Sequence, residues 1–353
     1  MGAPIRVLVV DDSAVVRRLL SRGLSEDPEI EVVGTAADPF EARDRILALR
    51  PDVLTLDVEM PRMDGLTFLR KLMPQHPMPV VMVSSLTTRG AQVTLEALAA
   101  GAVDVVAKPR PGSPGGMEGM IAELRAKVRA ASRARVAAPR RLASRATPPP
   151  GADPLPAAAR RAVVALGAST GGTEAIQRVV SRLPSDGPPV LIVQHLPAGF
   201  SAPFASQLDR ESPLSVSEAR TGAIPQPGHA YVAPGGRQLR LLGRPGQFRL
   251  DCSSTEKVSG HCPSVDVLMT SVAGAAGARA IGVILTGMGA DGARGLLRMR
   301  QAGAATLGQD EATCVVYGMP RAAAELGAVQ VALPLDAMAD RIRILLRKLG
   351  DTT

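Results

Sequence analysis

The chain has 353 residues, enough for two domains, and 46% of them are hydrophobic although aromatic residues make up only 2%. No apolar run is long enough to cross a bilayer, and the first residues have strand character rather than that of a signal peptide, so we expect a cytoplasmic protein without membrane insertion. The net charge of +8 raises a nucleic-acid hypothesis, but residues 111–161 alone hold ten Lys or Arg against three acids and no aromatic residue that could stack on bases. We therefore expect a solvated basic segment and no nucleic-acid partner.

Residues 1–110 alternate between strand-like and helix-like segments. The predicted strands are 5–10, 31–35, 53–57, 80–84 and 104–107, and the predicted helices are 14–24, 39–49, 66–73 and 90–99, with a final helix over about 117–135. Such alternation predicts a parallel sheet with helices on both faces.

A change in composition separates this region from the rest of the chain. Residues 136–160 are rich in Ala, Pro and Arg, which predicts a flexible linker. From residue 161 to 353 the alternation resumes, with strands at 162–166, 190–193 and 281–285 and helices at 173–183 and 335–349. Short strand-like pieces within 212–255, such as 230–233, suggest an antiparallel edge or a hairpin insert. The predicted fold class is α/β, with two doubly wound parallel-sheet domains.

Acidic side chains fall at the ends of predicted strands in the first domain. Asp11 and Asp12 follow the first strand and Asp57 ends the third. These ends share one edge of a parallel sheet, where clustered carboxylates suit Mg²⁺. Ser84 ends the fourth predicted strand, and Lys108 follows the fifth. They supply a hydroxyl and a cation, both suited to a phosphoryl oxygen.

This ordered set resembles the receiver domain of two-component response regulators, over about residues 4–109, and implies a flavodoxin-like fold. The resemblance implies that Asp57 accepts a phosphoryl group from a histidine kinase, and that Asp11, Asp12, Asp57 and the carbonyl of Glu59 hold Mg²⁺. It also implies that Ser84 and Lys108 sense the phosphoryl group. Val105 departs from the pattern, because receivers usually carry an aromatic residue there.

The most informative motif of the second domain is the Gly-Ala-Ser-Thr-Gly-Gly turn that contains Ser169. It lies between an apolar strand-like run and an amphipathic segment, so it predicts a strand, a tight turn and a helix. A serine there is exposed at the end of a strand, beside glycines and free N–H groups of a helix start. These features are typical of a nucleophile with an oxyanion site.

A serine nucleophile needs a base and an orienting acid. Of the four histidines, His195 alone ends a predicted strand next to that of Ser169, whereas His76, His229 and His261 lie in loops. Asp291 is the single carboxylate of a Gly-rich loop after strand 281–285, although it could also cap the following helix. In this loop the N–H of Met288 could approach an oxyanion beside the N–H of Thr170.

Sequence motifs around these residues resemble the chemotaxis protein-glutamate methylesterases. The matches are GASTGG, VQHLP, GMGADG, GHAYVAPGG and PSVDVL, after a receiver and a linker, and they span nearly the whole chain outside 111–160. The resemblance implies a Rossmann-like α/β hydrolase domain that cleaves glutamate γ-methyl esters on chemoreceptors, and some members also deamidate glutamines. It assigns Ser169 as nucleophile, His195 as base and Asp291 as orienting acid, with no cofactor for the esterase. It also implies that the receiver hinders substrate access until it is phosphorylated.

Two other classes of protein compete with this interpretation. A dinucleotide-binding enzyme would need G-x-G-x-x-G and an acid after the next strand, which here ends in His195. A receiver-controlled, non-enzymatic binding or DNA-output regulator is favoured by the basic linker but not by the complete triad. A metal bound by His261 and Cys262 is disfavoured, because Cys252, Cys262 and Cys314 show no C-x-x-C spacing, so reduced thiols are expected.

Overall fold

A computed structural model describes residues 3–85, 87–109, 116–136 and 155–351. Contacts among them fall into two compact units, within Met1–Arg141 and within Leu142–Thr353. The predicted linker falls mainly on residues 137–154, which lie outside the described part of the chain. Its last residues pack with the second unit, since Leu155 and Ala159 are buried and the Leu155 N–H donates to Asp186 Oδ2 at 3.1 Å.

The first unit is built on five parallel strands in the order β2-β1-β3-β4-β5. They are β1 Ile5–Val10, β2 Ile30–Ala36, β3 Val53–Asp57, β4 Val80–Ser84 and β5 Asp104–Ala107. The central strands β3 and β4 are buried throughout, as expected for strands that helices cover on both faces. The predicted strands are confirmed to within one residue at each end.

Five helices accompany this sheet. They are α1 Ala14–Ser25, α2 Pro39–Leu49, α3 Gly65–Gln75, α4 Thr88–Ala99 and α5 Gly116–Ala131. Side chains of Ser13, Asp38, Asp64 and Thr87 accept hydrogen bonds from the first turns of α1 to α4, which explains where these helices begin. Helix α1 packs on α5, and α3 packs on α4.

The second unit contains a seven-stranded parallel sheet in the order β14-β13-β12-β6-β7-β9-β8. Its strands are β6 Val163–Ala168, β7 Val190–Gln194, β8 Ser215–Glu218, β9 His229–Val232, β12 Ala280–Ile284, β13 Ala305–Gln309 and β14 Val331–Leu333. A separate antiparallel pair is formed by β10 Arg240–Leu242 and β11 Arg249–Asp251. The hairpin insert is thus confirmed, but segment 230–233 is not part of it, because β9 pairs in parallel with β7 and β8.

In the described part of the second unit there are six α-helices. They are α6 Gly172–Val180, α7 Ser201–Glu211, α8 Val265–Ala276, α9 Ala293–Gln301, α10 Met319–Glu325 and α11 Leu335–Asp351. Helix α8 packs on β6, β7 and β12 and also contacts α9 and β10. The core beneath α8 is almost entirely aliphatic, in keeping with the low aromatic content of the chain.

The order of strands places β6 at the switch point of the second sheet. From β6 the chain runs outward through β7 on one side, and later through β12 on the other. In such sheets the loops at the carboxyl ends of the strands diverge at this point and leave a crevice for a ligand. The first sheet has its own switch point between β1 and β3, and the acidic residues lie there.

Candidate active sites

Three carboxylates and one lysine meet at the carboxyl edge of the first sheet. Oxygens of Asp11, Asp12 and Asp57 lie within 4.8 Å of one another. Lys108 Nζ lies 2.9 Å from Asp11 Oδ2 and 2.9 Å from Asp57 Oδ2. One ammonium group cannot neutralise three carboxylates, and an all-oxygen donor set of this kind fits Mg²⁺. Among the described residues, this is the single acidic, His or Cys cluster that could hold a metal ion.

Asp57, the candidate phosphoryl acceptor, is a buried carboxylate at the end of β3. Burial raises the pKa of Asp57 to about 6, Lys108 opposes this rise by charge and hydrogen bond, and Asp11 adds to it. Burial by itself lowers the pKa of Lys108, but its two carboxylate neighbours outweigh this effect and the net pKa is raised. Lys108 therefore remains a cation beside a carboxylate that lacks full charge compensation.

The structure adds contacts at two further residues of this edge, Glu59 and Ser84. The backbone N–H of Glu59 bonds the Asp57 carboxylate, while the Glu59 side chain is exposed. Ser84 is fully buried, and its Oγ lies 2.8 Å from Thr94 Oγ1 on α4. Sequence reasoning did not identify Thr94, because nothing in its spacing indicates a contact with the end of β4.

The resemblance to receivers predicts an aromatic side chain at position 105, where this chain has the smaller Val105. Val105 is buried in β5, and its carbonyl accepts a hydrogen bond from Lys127 Nζ on α5. Lys127 also lies 3.0 Å from Asp104 Oδ1 and 2.8 Å from Glu123 Oε1. Strand β5 is thus tied to α5 by charge at the point where other receivers carry a large ring.

Ser169 follows the last residue of β6 in a turn that the surrounding backbone defines closely. Its N–H donates to the carbonyl of Thr286 at 3.0 Å, and its own carbonyl accepts from the N–H of Gly172 at 2.7 Å. The Gln194 amide also donates to that carbonyl at 2.8 Å. Gly171 adopts φ +73°, a left-handed conformation that favours glycine, so the turn needs glycine there.

His195 and Asp291 form a hydrogen-bonded pair beside this turn. His195 follows β7, and its N–H donates to the carbonyl of Ala168 at 3.2 Å, which brings it next to Ser169. His195 Nε2 lies 2.8 Å from Asp291 Oδ2. His195 Nδ1 is buried and has no hydrogen-bond partner in the described part of the chain, so it does not bond Ser169 Oγ in this structure. Hydrogen bonds of this kind often tighten only when substrate is bound.

The Asp291 carboxylate is nearly inaccessible and is surrounded by donors. Besides His195, it accepts from Ser264 Oγ at 2.7 Å and from the N–H groups of Val265 at 2.7 Å and Asp266 at 3.1 Å. Burial by itself would raise the pKa of Asp291, but the bonds from His195, Ser264 and Val265 hold it below its ordinary value. Asp291 is therefore an ionised acid that can orient His195, and not merely a helix cap.

The two candidate oxyanion amides belong to residues near Ser169 in the fold. Thr170 is the next residue in the chain, and its carbonyl accepts from Thr286 Oγ1 at 3.0 Å. Met288 follows Gly287, where an added Cβ would come within 2.8 Å of Ser169 Cβ. The loop after β12 therefore reaches the nucleophile turn because residue 287 has no side chain.

Comparison with known families agrees with this geometry. Residues 164–342 match the model of the CheB methylesterase family, and residues 7–113 match the response regulator receiver domain. A protein-glutamate methylesterase/protein-glutamine glutaminase of Syntrophotalea carbinolica is 53% identical over 350 residues, which cover 98% of this chain and 99% of that protein. The chain belongs to the CheB methylesterase family.

Other members of the CheB methylesterase family give the same result. A protein of Caulobacter vibrioides with the corresponding name is 54% identical over 340 residues, covering 96% of this chain and 97% of that one. The crystal structure of the Thermotoga maritima CheB methylesterase catalytic domain is 34% identical and superposes with a TM-score of 0.51, covering 52% of this chain and 98% of that one. Membership in this family does not favour the dinucleotide-binding or DNA-output alternatives.

Several residues around Ser169, His195 and Asp291 were not singled out as site residues from sequence. Ser264, within the PSVDVL motif, donates to Asp291. His261, which the sequence places in a loop, stacks its ring on that of His195 with 3.8 Å between centroids. Gln194 precedes His195 within VQHLP and holds the Ser169 carbonyl. The motifs contain these residues, but their contacts come from segments far apart in the chain.

Two further expectations concern the membrane and the cysteines. Among the described residues, no helix is both long enough and apolar enough to cross a membrane. None of the three cysteines is in a disulfide. Burial raises the pKa of Cys252 to about 11, so its thiol stays protonated near neutral pH.

Proposed function

We propose that this chain hydrolyses glutamate γ-methyl esters on chemoreceptors through a triad of Ser169, His195 and Asp291. The observation that carries the proposal is the 2.8 Å contact between His195 Nε2 and Asp291 Oδ2 beside the Ser169 turn. Asp291 fixes the tautomer in which Nε2 carries the proton, so Nδ1 offers its lone pair as the base. The names of the curated relatives support the same substrate chemistry.

The reaction divides into two steps, both at Ser169. In the first, Ser169 Oγ bonds to the ester carbonyl carbon, His195 Nδ1 takes the hydroxyl proton and then gives it to the departing methoxide, which leaves as methanol. In the second, water attacks the acyl-serine, His195 again takes and returns a proton, and the glutamate carboxyl group is released. The N–H groups of Thr170 and Met288 would bind the negative oxygen of each tetrahedral intermediate.

The same groups support deamidation of receptor glutamines. An amide differs from the ester only in its leaving group, and His195 can protonate departing nitrogen to give ammonia. The names of the relatives include protein-glutamine glutaminase, which supports this second activity.

Mass spectrometry of receptor peptides tests both activities. Purified protein is incubated with a methylated, glutamine-containing chemoreceptor, and we expect conversion of methyl-glutamyl and glutaminyl sites to glutamate. Ser169→Ala should abolish both conversions, whereas Ser206→Ala, an exposed serine on α7, should leave them unchanged. Unchanged receptor peptides with the wild-type protein would instead favour a non-enzymatic regulator.

We further propose that phosphorylation of Asp57 by a histidine kinase regulates this activity. Asp11, Asp12, Asp57 and the carbonyl of Glu59 would hold Mg²⁺, which would neutralise charge between the carboxylates and an incoming phosphoryl group. Lys108 lies where it can pair with the phosphoryl oxygens, and Ser84 links the site to α4 through Thr94. The proposed domains are a receiver over 1–110, a linker over 136–160 and a methylesterase domain over 161–353. The helix after the receiver was expected to reach about 135 but ends at Ala131.

The proposed partners follow from the same chemistry. They are methyl-accepting chemoreceptors as substrate and a chemotaxis histidine kinase as phosphoryl donor, both reached from the cytoplasm. The link between the two sites is tested by measuring the release of methanol from methylated receptor. We expect this release to be faster after phosphorylation of Asp57.

A further inference from the structure

A second imidazole lies directly against the proposed general base. The rings of His261 and His195 are 3.8 Å apart between centroids and only 8° from parallel. His261 and Asp291 also line one common cavity of about 630 Å³. His261 therefore covers one face of the His195 ring, and Asp291 holds its edge.

The hydrogen bond to Asp291 cannot by itself orient His195. A single bond fixes the position of Nε2, but the ring can still turn about an axis through that atom, and this turn swings Nδ1 away from Ser169. A flat neighbour at stacking distance fixes the plane of the ring, because tilting either ring brings atoms into overlap or opens a gap. The stack and the hydrogen bond together determine where Nδ1 points.

The backbone of His261 is held strongly enough to serve this purpose. Its N–H donates to the Val258 carbonyl at 2.9 Å, and its carbonyl accepts from the Val258 N–H at 3.0 Å. The buried Gln238 amide also donates to that carbonyl at 3.1 Å. The same Gln238 side chain accepts from the Ser264 N–H at 2.8 Å, and Ser264 Oγ bonds Asp291.

Gln238 thus connects the neighbours of both triad members. Through His261 it supports the face of the base, and through Ser264 it supports the acid. Residues 261–264 therefore support both His195 and Asp291. They are anchored by the Gln238 side chain, which is only 1% exposed.

We propose that His261 is a positioning residue for His195, acting through its flat ring and not through proton transfer. This inference rests on the proposed function of the triad. A ring that is free to turn would hold Nδ1 in reacting geometry for a small part of the time, and misplacement by about 1 Å can cost on the order of 100-fold in rate. The loss should appear in kcat, because His261 orients the base and does not hold the receptor.

The test compares three substitutions in the full-length chain, with methyl-ester hydrolysis as one readout. We expect His261→Phe, which keeps a flat ring, to stay within about threefold of wild-type kcat. His261→Leu and His261→Ala should lower kcat by about 10-fold to 100-fold, with KM changed by less than about threefold. Leu fills a similar volume, so the difference between Phe and Leu separates stacking from packing.

A second readout does not depend on turnover. Proton NMR should show a downfield resonance for the Nε2 proton shared by His195 and Asp291. We expect it to persist in His261→Phe and to broaden in His261→Leu and His261→Ala, as the freer ring exchanges its proton faster with water.

Three results would overturn the positioning role: equal kcat for Phe and Leu, a loss in Phe as large as in Ala, or wild-type kcat and resonance in Ala. Hydrolysis that survives in Ser169→Ala would instead reject the proposed function, and the NMR comparison would still decide the role of His261.

Discussion

His195 Nε2 and Asp291 Oδ2 lie 2.8 Å apart although 96 positions separate the two residues in the chain. The strands that deliver them, β7 and β12, flank β6 on opposite sides. Their loops therefore meet above the end of β6, where Ser169 begins the turn into α6. The strand order thus brings the loops that carry Asp291, His195 and Ser169 to one crevice.

Removal of the nucleophile or the base should nearly abolish hydrolysis. We expect Ser169→Ala and His195→Ala to lower kcat on methylated receptor by about 10⁴-fold to 10⁶-fold, since both take part in bond formation or proton transfer. Asp291→Asn should leave a small residual rate, because Asp291 orients and stabilises without itself reacting. Near-normal turnover in His195→Ala together with its loss in His261→Ala would show that the base has been assigned to the wrong histidine.

The depressed pKa of Asp291 predicts how stability depends on pH. Because the folded-state pKa lies below the unfolded value of about 3.9, ionised Asp291 stabilises the fold above that pH, and this contribution is lost as the pH falls through the folded-state pKa. The thermal midpoint of the wild type should therefore exceed that of Asp291→Asn at about pH 5. The margin should shrink below about pH 4. A margin that is independent of pH down to pH 2 would contradict this assignment.

Gly287 should not tolerate a side chain. An added Cβ would overlap Met319 Sδ and would lie 2.8 Å from Ser169 Cβ and 3.0 Å from the Ser169 nitrogen, so both the Met319 side chain and the Ser169 turn would have to move. We expect Gly287→Ala to lower kcat by on the order of 100-fold. Gly274→Ala is the matched control, since an added Cβ at this position in the last turn of α8 meets nothing within 4 Å. The control should keep full activity and gain up to about 1 kcal/mol of stability.

Phosphorylation should require both Asp57 and a divalent cation. Asp57 should take up phosphoryl from acetyl phosphate with Mg²⁺ but not with EDTA, because three carboxylates within 4.8 Å repel a phosphoryl group unless a cation neutralises them. Asp57→Asn should remove labelling, whereas Asp44→Asn, an exposed acid of α2, should not. Equal labelling in EDTA, or labelling that persists in Asp57→Asn, would exclude this site.

The receiver should restrain the esterase until it is phosphorylated. The resemblance to the methylesterases implies that the unphosphorylated receiver hinders access of the receptor substrate to Ser169. We expect a shortened chain that begins a few residues before Leu155 to be more active than the unphosphorylated full-length protein, and phosphorylation should raise the full-length rate. The start lies before Leu155 because this residue is buried in the second unit. Equal rates for all three forms would show that the receiver does not gate the site.

Much of the site could be predicted because its residues lie at strand ends. Parallel strands bring their carboxyl ends to one edge, so Asp57 with Asp11, and Ser169 with His195, are neighbours in any doubly wound sheet with adjacent strands. The assignment of Ala230 to an antiparallel insert was wrong, because a run of four strand residues does not reveal whether it joins the main sheet or a hairpin. Strands β13 and β14 were not predicted. A glycine interrupts the apolar run of β13, and β14 has only three residues.

By itself the sequence determined the alternation of strands and helices, the glycines of the Ser169 turn and the residues for which we propose catalytic roles, because these depend on local periodicity and on residue chemistry. Only the tertiary structure decided that Asp291 meets Ser264 as well as His195, that His261 stacks on the base, and that Thr94 meets Ser84. These contacts join separate elements across loops, and the packing of α8 and of segment 261–264 on the sheet sets them. No local pattern records such packing, since its free energy comes from burial shared among residues far apart in the chain.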